Sequence, residues 1–314
     1  MKNAPLIALT GSTGFVGRHL LAELPKRGYR IRVLLRRPSE VPDGASSAVI
    51  GDIASPQNMA AALRDVDMVV HSAGLAHAMS GHPEDDYRAI NTQGTIRLAQ
   101  AAERAGVRRF VFLSSIRAQS GPVAEGVLTE GMEPGPTDAY GRSKLEAERG
   151  LAELGLDWAA LRPVLVYGPG VKGNMAALLS LARSSWPLPL GGLKAKRSLL
   201  SLDNLTAALD TLMRAQGPLR RPFIAADPDP VTVPEIIAAL REGLGRGPGL
   251  VPVPSFVLGA AAALTGKTDA YQRLAGSLVA SPEALRSLGW QPINRTPDGL
   301  ARLAREAGGS AAGA

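Results

Sequence analysis

The sequence contains no cysteine and few aromatic residues. None of its 314 residues is cysteine, and only 4% are Phe, Trp or Tyr. The absence of thiols excludes disulfide scaffolds, thiolate metal sites and cysteine nucleophiles. The scarcity of aromatic rings, together with basic pairs scattered along the chain, argues against the stacking platforms of proteins that bind single-stranded nucleic acid. We therefore expect no nucleic-acid partner.

Long hydrophobic runs and an export signal are also missing. The first apolar stretch is broken at once by Thr10, Gly11 and Ser12, and no small-residue cleavage site follows it. The most apolar later stretch, residues 256–264, is far shorter than the roughly 18 residues that span a bilayer. We expect this stretch to form a buried helix. The sequence thus predicts a cytoplasmic protein without membrane insertion.

What is present is the composition of a folded protein with an excess of positive charge. Hydrophobic residues make up 45% and charged residues 20%, as in ordinary globular proteins. The length is about twice that of a typical single domain, which predicts one large domain or two lobes. There are 35 Lys and Arg against 28 Asp and Glu. This charge suits an anionic ligand such as a nucleotide.

Short apolar runs alternate with longer helical segments through the first half of the chain. The predicted strands are residues 6–9, 30–35, 48–50, 68–71, 110–114 and 159–162, and the predicted helices are residues 17–27, 56–64, 87–105 and 140–154. Strands separated by helices of this length predict a doubly wound α/β fold with a parallel sheet. After about residue 166 the rhythm loosens, which indicates a smaller, mixed α/β lobe.

A glycine-rich turn lies between the first predicted strand and the first predicted helix. Residues 10–17 have the sequence TGSTGFVG. The missing side chains permit a tight turn and a close approach of backbone to pyrophosphate, and the helix N-terminus offers N–H groups to the anion. An ordinary glycine-rich turn is the alternative interpretation. The predicted dinucleotide-binding residues of this turn are Gly11, Thr13, Gly14, Phe15, Val16 and Gly17.

The second predicted strand ends in two arginines where an acid is expected. A carboxylate there would accept hydrogen bonds from the adenosine ribose of NAD, whereas a guanidinium suits the 2′-phosphate of NADP. Arg36 and Arg37 therefore favour NADP over NAD. A solvated pair at a strand end is the other interpretation.

Polar and small residues follow the third and fourth predicted strands. Strand carboxyl ends are where an open α/β sheet binds its ligands. Asp52 is predicted either to accept a bond from the adenine amino group or to cap the next helix. The other predicted cofactor contacts at these ends are Ile53, Ser72, Ala73 and Gly74.

Tyr140 and Lys144 are four residues apart in a predicted helix, so their side chains share one helix face. An ammonium beside a phenol favours the phenolate, and we expect the pKa of Tyr140 to fall from about 10 towards neutrality. The tyrosine would then act as general acid or base for an alcohol–ketone interconversion. Ser115, at a strand end, would donate to the reacting oxygen. A surface Tyr–Lys pair is the alternative interpretation.

The succession of glycine loop, Ser-ended strand and Tyr-Lys helix resembles the extended short-chain dehydrogenase/reductase family. Within it, the chain is similar to the NAD(P)-dependent nucleotide-sugar epimerase, dehydratase and 4-ketoreductase branch, and the resemblance covers nearly the whole chain. It is carried by TGSTGFVG (10–17), GDI (51–53), HSAG (71–74), FVFLSS (110–115), YGRSK (140–144), RPVLVYGPG (162–170), GNM (173–175), RSLLSLDNL (197–205) and LGWQP (288–292).

The resemblance implies a role for individual residues. Tyr140 is the catalytic acid/base, Lys144 holds the nicotinamide ribose and Ser115 orients the substrate oxygen. The further implied cofactor contacts are Asn91, Pro163 and Val164. The expected substrate contacts are Ser115, Arg117, Asn174 and Arg197, together with His77 in the loop after the fourth strand. The cluster of His and acidic residues around His77 matches no standard ligand spacing, so no metal is predicted.

These patterns predict both a domain plan and a function. Residues 1–165, together with 198–226, are predicted to form a dinucleotide-binding Rossmann domain. Residues 166–197 and 227–307 are predicted to form a substrate-binding lobe, and residues 308–314 to form a disordered tail. The first hypothesis is an NADP(H)-dependent 4-ketoreductase acting on a nucleoside-diphosphate sugar. The alternative is a 4-epimerase of the UDP-glucose or UDP-N-acetylglucosamine type that retains NAD, and a non-catalytic cofactor sensor is the third. A homodimer is consistent with the resemblance.

Overall fold

The computed structural model describes residues 4–76, 82–266 and 268–309. In chain order the strands are β1 (Leu6–Thr10), β2 (Arg30–Leu35), β3 (Ser46–Val49), β4 (Met68–His71), β5 (Arg109–Leu113), β6 (Val127–Leu128), β7 (Trp158–Pro163), β8 (Leu165–Tyr167), β9 (Lys196–Arg197), β10 (Leu199–Ser201), β11 (Arg221–Ala225), β12 (Val231–Thr232) and β13 (Val279–Ala280). The helices are α1 (Phe15–Glu23), α2 (Met59–Ala62), α3 (Glu84–Tyr87), α4 (Gly94–Arg104), α5 (Ala139–Ala152), α6 (Gly173–Arg183), α7 (Leu202–Arg214), α8 (Val233–Gly243), α9 (Ser255–Leu264), α10 (Thr268–Ala275), α11 (Glu283–Arg286) and α12 (Thr296–Gly309).

Seven strands form one parallel sheet in the order β11-β7-β5-β4-β1-β2-β3. Leu6 of β1 is paired with Arg30 of β2, and Ile7 with Met68 of β4. Every residue of β1 is buried, because helices cover both faces of the sheet. The predicted doubly wound α/β fold is confirmed.

The strand order reverses between β1 and β4. The chain proceeds from β1 to β2 and β3 on one side, and then returns to place β4 and β5 on the other. The carboxyl ends of β1 and β4 therefore flank a crevice, which is where open α/β sheets bind ligands. The Ser72 hydroxyl donates to the Thr10 carbonyl oxygen across 2.6 Å and so joins the two strand ends.

Two apolar clusters cover the two faces of the sheet, and a third lies outside it. Successive side chains of a strand point to opposite faces, so Ile7 and Leu9 pack in one cluster and Ala8 in the other. The third cluster is built mainly from α6, α8 and α12. It gives the later part of the chain its own core and forms a smaller, mixed α/β lobe.

The C-terminal helix extends further than the sequence predicts. α12 ends at Gly309, so residues 308 and 309 of the predicted disordered tail are helical. The rest of the predicted tail lies outside the described residues.

Helix α9 is exposed, which contradicts the prediction of a buried helix at residues 256–264. None of its residues is buried, and Phe256 and Leu264 are 76% and 90% exposed. The apolar composition correctly predicted a helix, but burial also requires a partner surface. Within the described ranges, no helix is both long and apolar enough to cross a membrane.

Candidate active site

The glycine loop brings the backbone of β1 against the end of β4. Gly11 has a φ of +73°, and a Cβ there would lie 2.7 Å from the Ala73 nitrogen. A Cβ on Gly17 would lie 2.0 Å from the Gly11 carbonyl oxygen. α1 begins at Phe15 without a side-chain cap. This close-packed backbone at an uncapped helix N-terminus fits the pyrophosphate of a dinucleotide.

A buried chain of hydrogen bonds connects β1, β4 and α4 beneath the crevice. His71 Nδ1 lies 2.7 Å from Thr10 Oγ1, and Nε2 lies 2.9 Å from Thr95 Oγ1. The Thr95 hydroxyl donates to the Asn91 carbonyl oxygen, so His71 Nε2 must carry the proton of the bond to Thr95. Burial, reinforced by Lys144, lowers the pKa of His71 to about 3. The ring is therefore neutral at pH 7.

Asn91 lies in a π-helical turn, Arg88–Gln93, between α3 and α4. Such turns are frequent at functional sites. Its amide nitrogen donates to the Leu75 carbonyl oxygen and to Ser143 Oγ, each across 3.1 Å, and its Oδ1 accepts from the Leu75 nitrogen at 2.8 Å. A Cβ on Gly74 would lie 2.7 Å from Asn91 Oδ1. Asn91 thus fixes the loop after β4 against α5.

The three predicted catalytic residues meet at the carboxyl end of β5. Ser115 follows that strand, and its hydroxyl hydrogen-bonds the Tyr140 side chain. Lys144 lies one turn further along α5, with Nζ 5.9 Å from the centroid of the Tyr140 ring. Tyr140 also packs edge-on against Tyr87, with ring centroids 6.2 Å apart. The alternative of a surface Tyr–Lys pair is excluded, because Lys144 is only 4% exposed.

The expected fall in the pKa of Tyr140 is not found. Burial raises that pKa to about 12, although the hydrogen bond from Ser115 acts in the opposite direction. Lys144 Nζ donates to the Leu113 carbonyl oxygen at 3.0 Å and lies 4.6 Å from the centroid of the Phe112 ring. Burial lowers the pKa of Lys144 to about 8, opposed by Glu148. The prediction considered the charge of the neighbour and omitted the desolvation of both groups.

A buried ion pair lies directly behind these residues. Arg162 Nε lies 3.0 Å from Glu148 Oε1, and the two side chains are 3% and 4% exposed. Glu148 Oε1 also accepts from the Ser114 hydroxyl at 2.5 Å, and Arg162 contacts Gln119. Glu148 is one helical turn beyond Lys144, so the pair joins α5 to β5 and β7.

The beginning of α5 is fixed by Asp138. Its Oδ1 accepts from the Gly141 nitrogen at 2.7 Å, and its Oδ2 pairs with the Arg117 guanidinium. A Cβ on Gly141 would lie 2.2 Å from the Arg117 carbonyl oxygen. Arg117, predicted to contact substrate, therefore binds the helix cap that positions Tyr140.

The predicted adenosine end of the site is solvent-exposed. Arg36 and Arg37 are exposed at the end of β2, and neither makes an ion pair with another residue in the described ranges. The Asp52 side chain accepts from the Ala54 nitrogen at 2.9 Å, while Asn58 precedes α2. Asp52 therefore closes its own turn and does not cap the next helix.

The remaining predicted contacts are distributed over several elements. Ile53 packs against α4, since a Cβ on Gly94 would lie 3.2 Å from its side chain. Pro163 ends β7, and the buried Val164 donates its N–H to the Ala225 carbonyl oxygen. Asn174 is exposed near the start of α6.

Arg197 lies at the end of β9, and His77 lies outside the described residues. The Arg197 guanidinium donates to the Gly276 carbonyl oxygen at 2.7 Å. Burial lowers the pKa of Arg197. This arginine thereby joins β9 to the segment after α10 in the smaller lobe.

Sequence reasoning missed the residues that support the site from behind. Thr10, Ser143, Glu148 and Arg162 had no predicted role. Glu148 follows Lys144 by four residues, and this spacing indicates that both side chains lie on the same face of the helix. Its partner Arg162 is on a different strand, and only the folded chain brings the two together.

The fold and the site together define a dinucleotide-binding enzyme of the short-chain dehydrogenase/reductase type. The chain belongs to the NAD dependent epimerase/dehydratase family, whose sequence profile matches residues 7–223. It is thus an NAD(P)-dependent enzyme, which disfavours the hypothesis of a non-catalytic sensor.

Individual relatives span much of this chain. A UDP-glucose 4-epimerase of Vibrio cholerae is 36% identical, and the match covers 95% of this chain and 94% of that protein. A 3 beta-hydroxysteroid dehydrogenase/Delta 5-->4-isomerase of Mycobacterium tuberculosis is 31% identical over 76% of this chain and 70% of that protein. The structure of MoeE5 in complex with UDP-glucose and NAD superposes with a TM-score of 0.74 at 27% identity, covering 97% of this chain and 99% of that chain.

Proposed function

We propose that this chain is a nucleotide-sugar 4-epimerase that retains its NAD through the catalytic cycle. The main support is the match to the Vibrio cholerae UDP-glucose 4-epimerase, which extends over nearly the whole of both chains. MoeE5, a similar structure, binds UDP-glucose and NAD. We therefore prefer the 4-epimerase, which the sequence offered as the alternative, over the 4-ketoreductase.

The residues of the crevice fit a bound dinucleotide. Gly11, Gly14 and Gly17 would receive the pyrophosphate. A side chain is sterically excluded at Gly11 and Gly17, and a Cβ on Gly14 would lie 3.2 Å from the Gly11 carbonyl oxygen. Lys144 would hold the nicotinamide ribose, with Asn91 keeping the adjoining loop in place. When bound, NAD would supply a hydride acceptor for C4 of the sugar and, in its reduced form, a hydride donor to the opposite face.

Proton transfer is assigned to the protein. Tyr140 would take the proton of the 4-hydroxyl group as the ketone forms, and return it after the sugar has turned. Ser115 already hydrogen-bonds Tyr140 and would donate to the same substrate oxygen. The hydroxyl of Ser115 and the charge of Arg117 both favour the phenolate, against the burial that raises the pKa of Tyr140.

The smaller lobe is proposed to hold the nucleoside diphosphate. Arg197 offers a guanidinium that can bind a diphosphate with two parallel hydrogen bonds. Asn174 is exposed at the start of α6 and would contact the same group. The domain boundaries, a cytoplasmic location and a homodimer belong to the same proposal, and sedimentation of the purified protein tests the dimer.

The NADP(H)-dependent 4-ketoreductase is kept as a second candidate because of one observation. Arg36 and Arg37 are exposed at the end of β2, where they suit a 2′-phosphate. If this candidate is correct, NADPH should bind more tightly than NADH by about 1.5 to 3 kcal/mol, the scale of a charge-assisted hydrogen bond. Arg36→Asp should then reverse the preference.

The deciding experiment analyses the purified protein and its turnover together. An epimerase should yield NAD on denaturation and interconvert two UDP-sugars without added reductant. A protein that purifies empty and consumes NADPH with a 4-keto sugar would instead be the reductase. A 3β-hydroxysteroid is included as a substrate because of the Mycobacterium tuberculosis relative, and oxidation of that steroid alone would refute a nucleotide-sugar substrate.

The assignment of Tyr140 predicts a selective loss of activity. Tyr140→Phe should lower kcat about 100-fold or more, because it removes the proton that moves. Dinucleotide affinity, measured by calorimetry, should change little. The matched control is Tyr29→Phe, since Tyr29 donates to Asp210 away from the crevice. Comparable kcat values for the two variants would show that Tyr140 is not the acid/base.

A further inference from the structure

Arg117 lies in a single 3₁₀ turn, Ile116–Ala118, that follows the end of β5. Its backbone N–H donates to Ser115 Oγ at 3.1 Å. A hydroxyl group has one hydrogen to donate, so an oxygen of Ser115 that accepts from Arg117 directs its own hydrogen elsewhere. Its other partner is the side chain of Tyr140. The backbone of Arg117 therefore orients the hydroxyl group that meets Tyr140.

Arg117 also contacts the first turn of α5. Its carbonyl oxygen would lie 2.2 Å from a Cβ on Gly141, so a side chain there would displace the backbone. Its guanidinium pairs with Asp138 Oδ2, while Asp138 Oδ1 accepts from the Gly141 nitrogen at 2.7 Å. Asp138 is the N-cap of α5, and Tyr140 is the second residue of that helix. Arg117 thus holds both Ser115 and the helix turn that carries Tyr140.

The charges of Arg117 and Asp138 act on the Tyr140 phenol in opposite directions. The two side chains are 13% and 26% exposed, so solvent screens them only in part. Burial is the main cause of the raised pKa of Tyr140. The Asp138 carboxylate also raises this pKa, whereas the Arg117 guanidinium lowers it. Removing either charge should therefore leave the other unopposed.

Other polar groups from three elements surround the Tyr140 ring. They are Ser115 from the turn after β5, Lys144 from α5 and Tyr87 from α3. All of them are retained when Arg117 or Asp138 is substituted. The contribution of the ion pair can thus be measured against a constant background.

We propose that Arg117 and Asp138 are positioning residues for proton transfer at Tyr140. Arg117 holds the Ser115 hydroxyl and the first turn of α5 in place, and the two opposite charges set how readily the phenol releases its proton. This role rests on the proposed function, in which Tyr140 is the acid/base. Arg117 thus acts through Tyr140, whereas the sequence predicted a contact with the substrate.

Two neutral variants test the two charges separately. Arg117→Gln leaves the carboxylate unopposed, which disfavours the phenolate. Asp138→Asn leaves the guanidinium unopposed, which favours the phenolate, and Asn keeps an oxygen that can cap α5. We measure kcat for UDP-glucose at a fixed pH at which the rate still rises with pH. Arg117→Gln should lower kcat about threefold or more, and Asp138→Asn should raise it about threefold, because the phenolate takes the proton of the 4-hydroxyl group.

The phenolate can also be observed without a substrate. It absorbs in the near ultraviolet, and subtracting the spectrum of the same protein with Tyr140→Phe isolates the signal of Tyr140. At one alkaline pH, the signal should increase in the order Arg117→Gln, wild type, Asp138→Asn. Thermal unfolding curves verify that each variant is folded at that pH.

Three further variants serve as controls. Arg117→Lys keeps the positive charge and should restore the pH profile of the wild type. The double variant Arg117→Gln, Asp138→Asn removes both charges, and its kcat should lie between those of the single variants. Arg142→Gln is the matched control, because Arg142 is also on α5 but its pair with Glu84 is 42% and 61% exposed. Solvent screening should leave its pH profile unchanged.

Two results would overturn the positioning role while Tyr140→Phe is inactive. One is that the two single variants leave kcat and the phenolate signal unmoved, or move them in the same direction. A damaged helix cap would lower kcat in both variants and would not raise it in Asp138→Asn. The other is a shift in Arg142→Gln as large as that in Arg117→Gln. Retained activity of Tyr140→Phe is a different failure, since it refutes the acid/base role itself and with it the proton transfer that the pair would assist.

Discussion

Strand β5 and helix α9 are both strongly apolar, yet they have opposite surroundings. In β5, Phe110, Val111 and Phe112 are completely buried, whereas no residue of α9 is buried. β5 lies between β4 and β7 in a sheet that is covered on both faces. α9 contacts the rest of the chain on one side only. Apolar composition therefore predicts that burial against an apolar surface would stabilise a segment. The topology determines whether the same chain provides that surface.

The most direct way to test this comparison is to truncate one phenylalanine in each segment. Phe110→Ala should lower the free energy of unfolding by about 3–5 kcal/mol, because it leaves a cavity in a close-packed core. Phe256→Ala should change it by no more than about 0.5 kcal/mol, since the ring is 76% exposed. Denaturant titration measures both. A similar loss in the two variants would show that α9 packs against the chain in solution.

A second test concerns the buried charges at the end of β5. Glu148→Ala should destabilise the protein by about 3–5 kcal/mol, because Arg162 would be left charged and buried without its partner. Glu84→Ala is the control, since it breaks an exposed pair with Arg142 and should cost no more than about 1 kcal/mol.

If the Glu148→Ala variant does not fold, a double variant can still test the buried ion pair. Replacing both partners, with Glu148→Leu and Arg162→Met, removes the isolated charge and should recover much of the lost stability. Equal unfolding free energies for the Glu148→Ala and Glu84→Ala variants would contradict the buried pair.

A third test concerns a pH dependence caused by His71, whose ring stacks on Phe112 of β5 with centroids 5.6 Å apart. Burial holds the pKa of His71 at about 3, below its ordinary value near 6.5. Between these values the unfolded chain binds a proton that the folded chain does not. Stability should therefore fall on acidification through this range, by about 1.4 kcal/mol for each pH unit.

Removing the imidazole isolates this contribution. His71→Gln should abolish that share of the pH dependence, as measured by urea unfolding between pH 7 and acidic pH. A His82→Gln variant controls for the loss of a histidine, because His82 is exposed. Parallel pH profiles for the wild type and the His71→Gln variant would refute the neutral, buried state of His71.

Much of the fold and part of the candidate site could be predicted from local patterns. The alternation of strands and helices predicted the parallel sheet, and the glycine spacing predicted the turn after β1. The spacing of Tyr140 and Lys144 placed both on one helix face, and the family resemblance implied that Ser115 lies near them. These features depend on residues that are close in the sequence or on the common direction of parallel strands. They can therefore be predicted from the sequence.

The tertiary structure decided what depends on burial and on distant partners. The pKa of Tyr140 is raised where the sequence predicted a fall, because desolvation outweighs a favourable neighbour. Arg117 binds the cap of α5, and Glu148 finds Arg162 from another strand. α9 is exposed although its composition predicted burial. The sequence alone thus determined periodicity, charge and which residues are the candidate reacting groups. Packing determined the environment of those residues, because desolvation and contacts between distant residues arise only when the chain is folded.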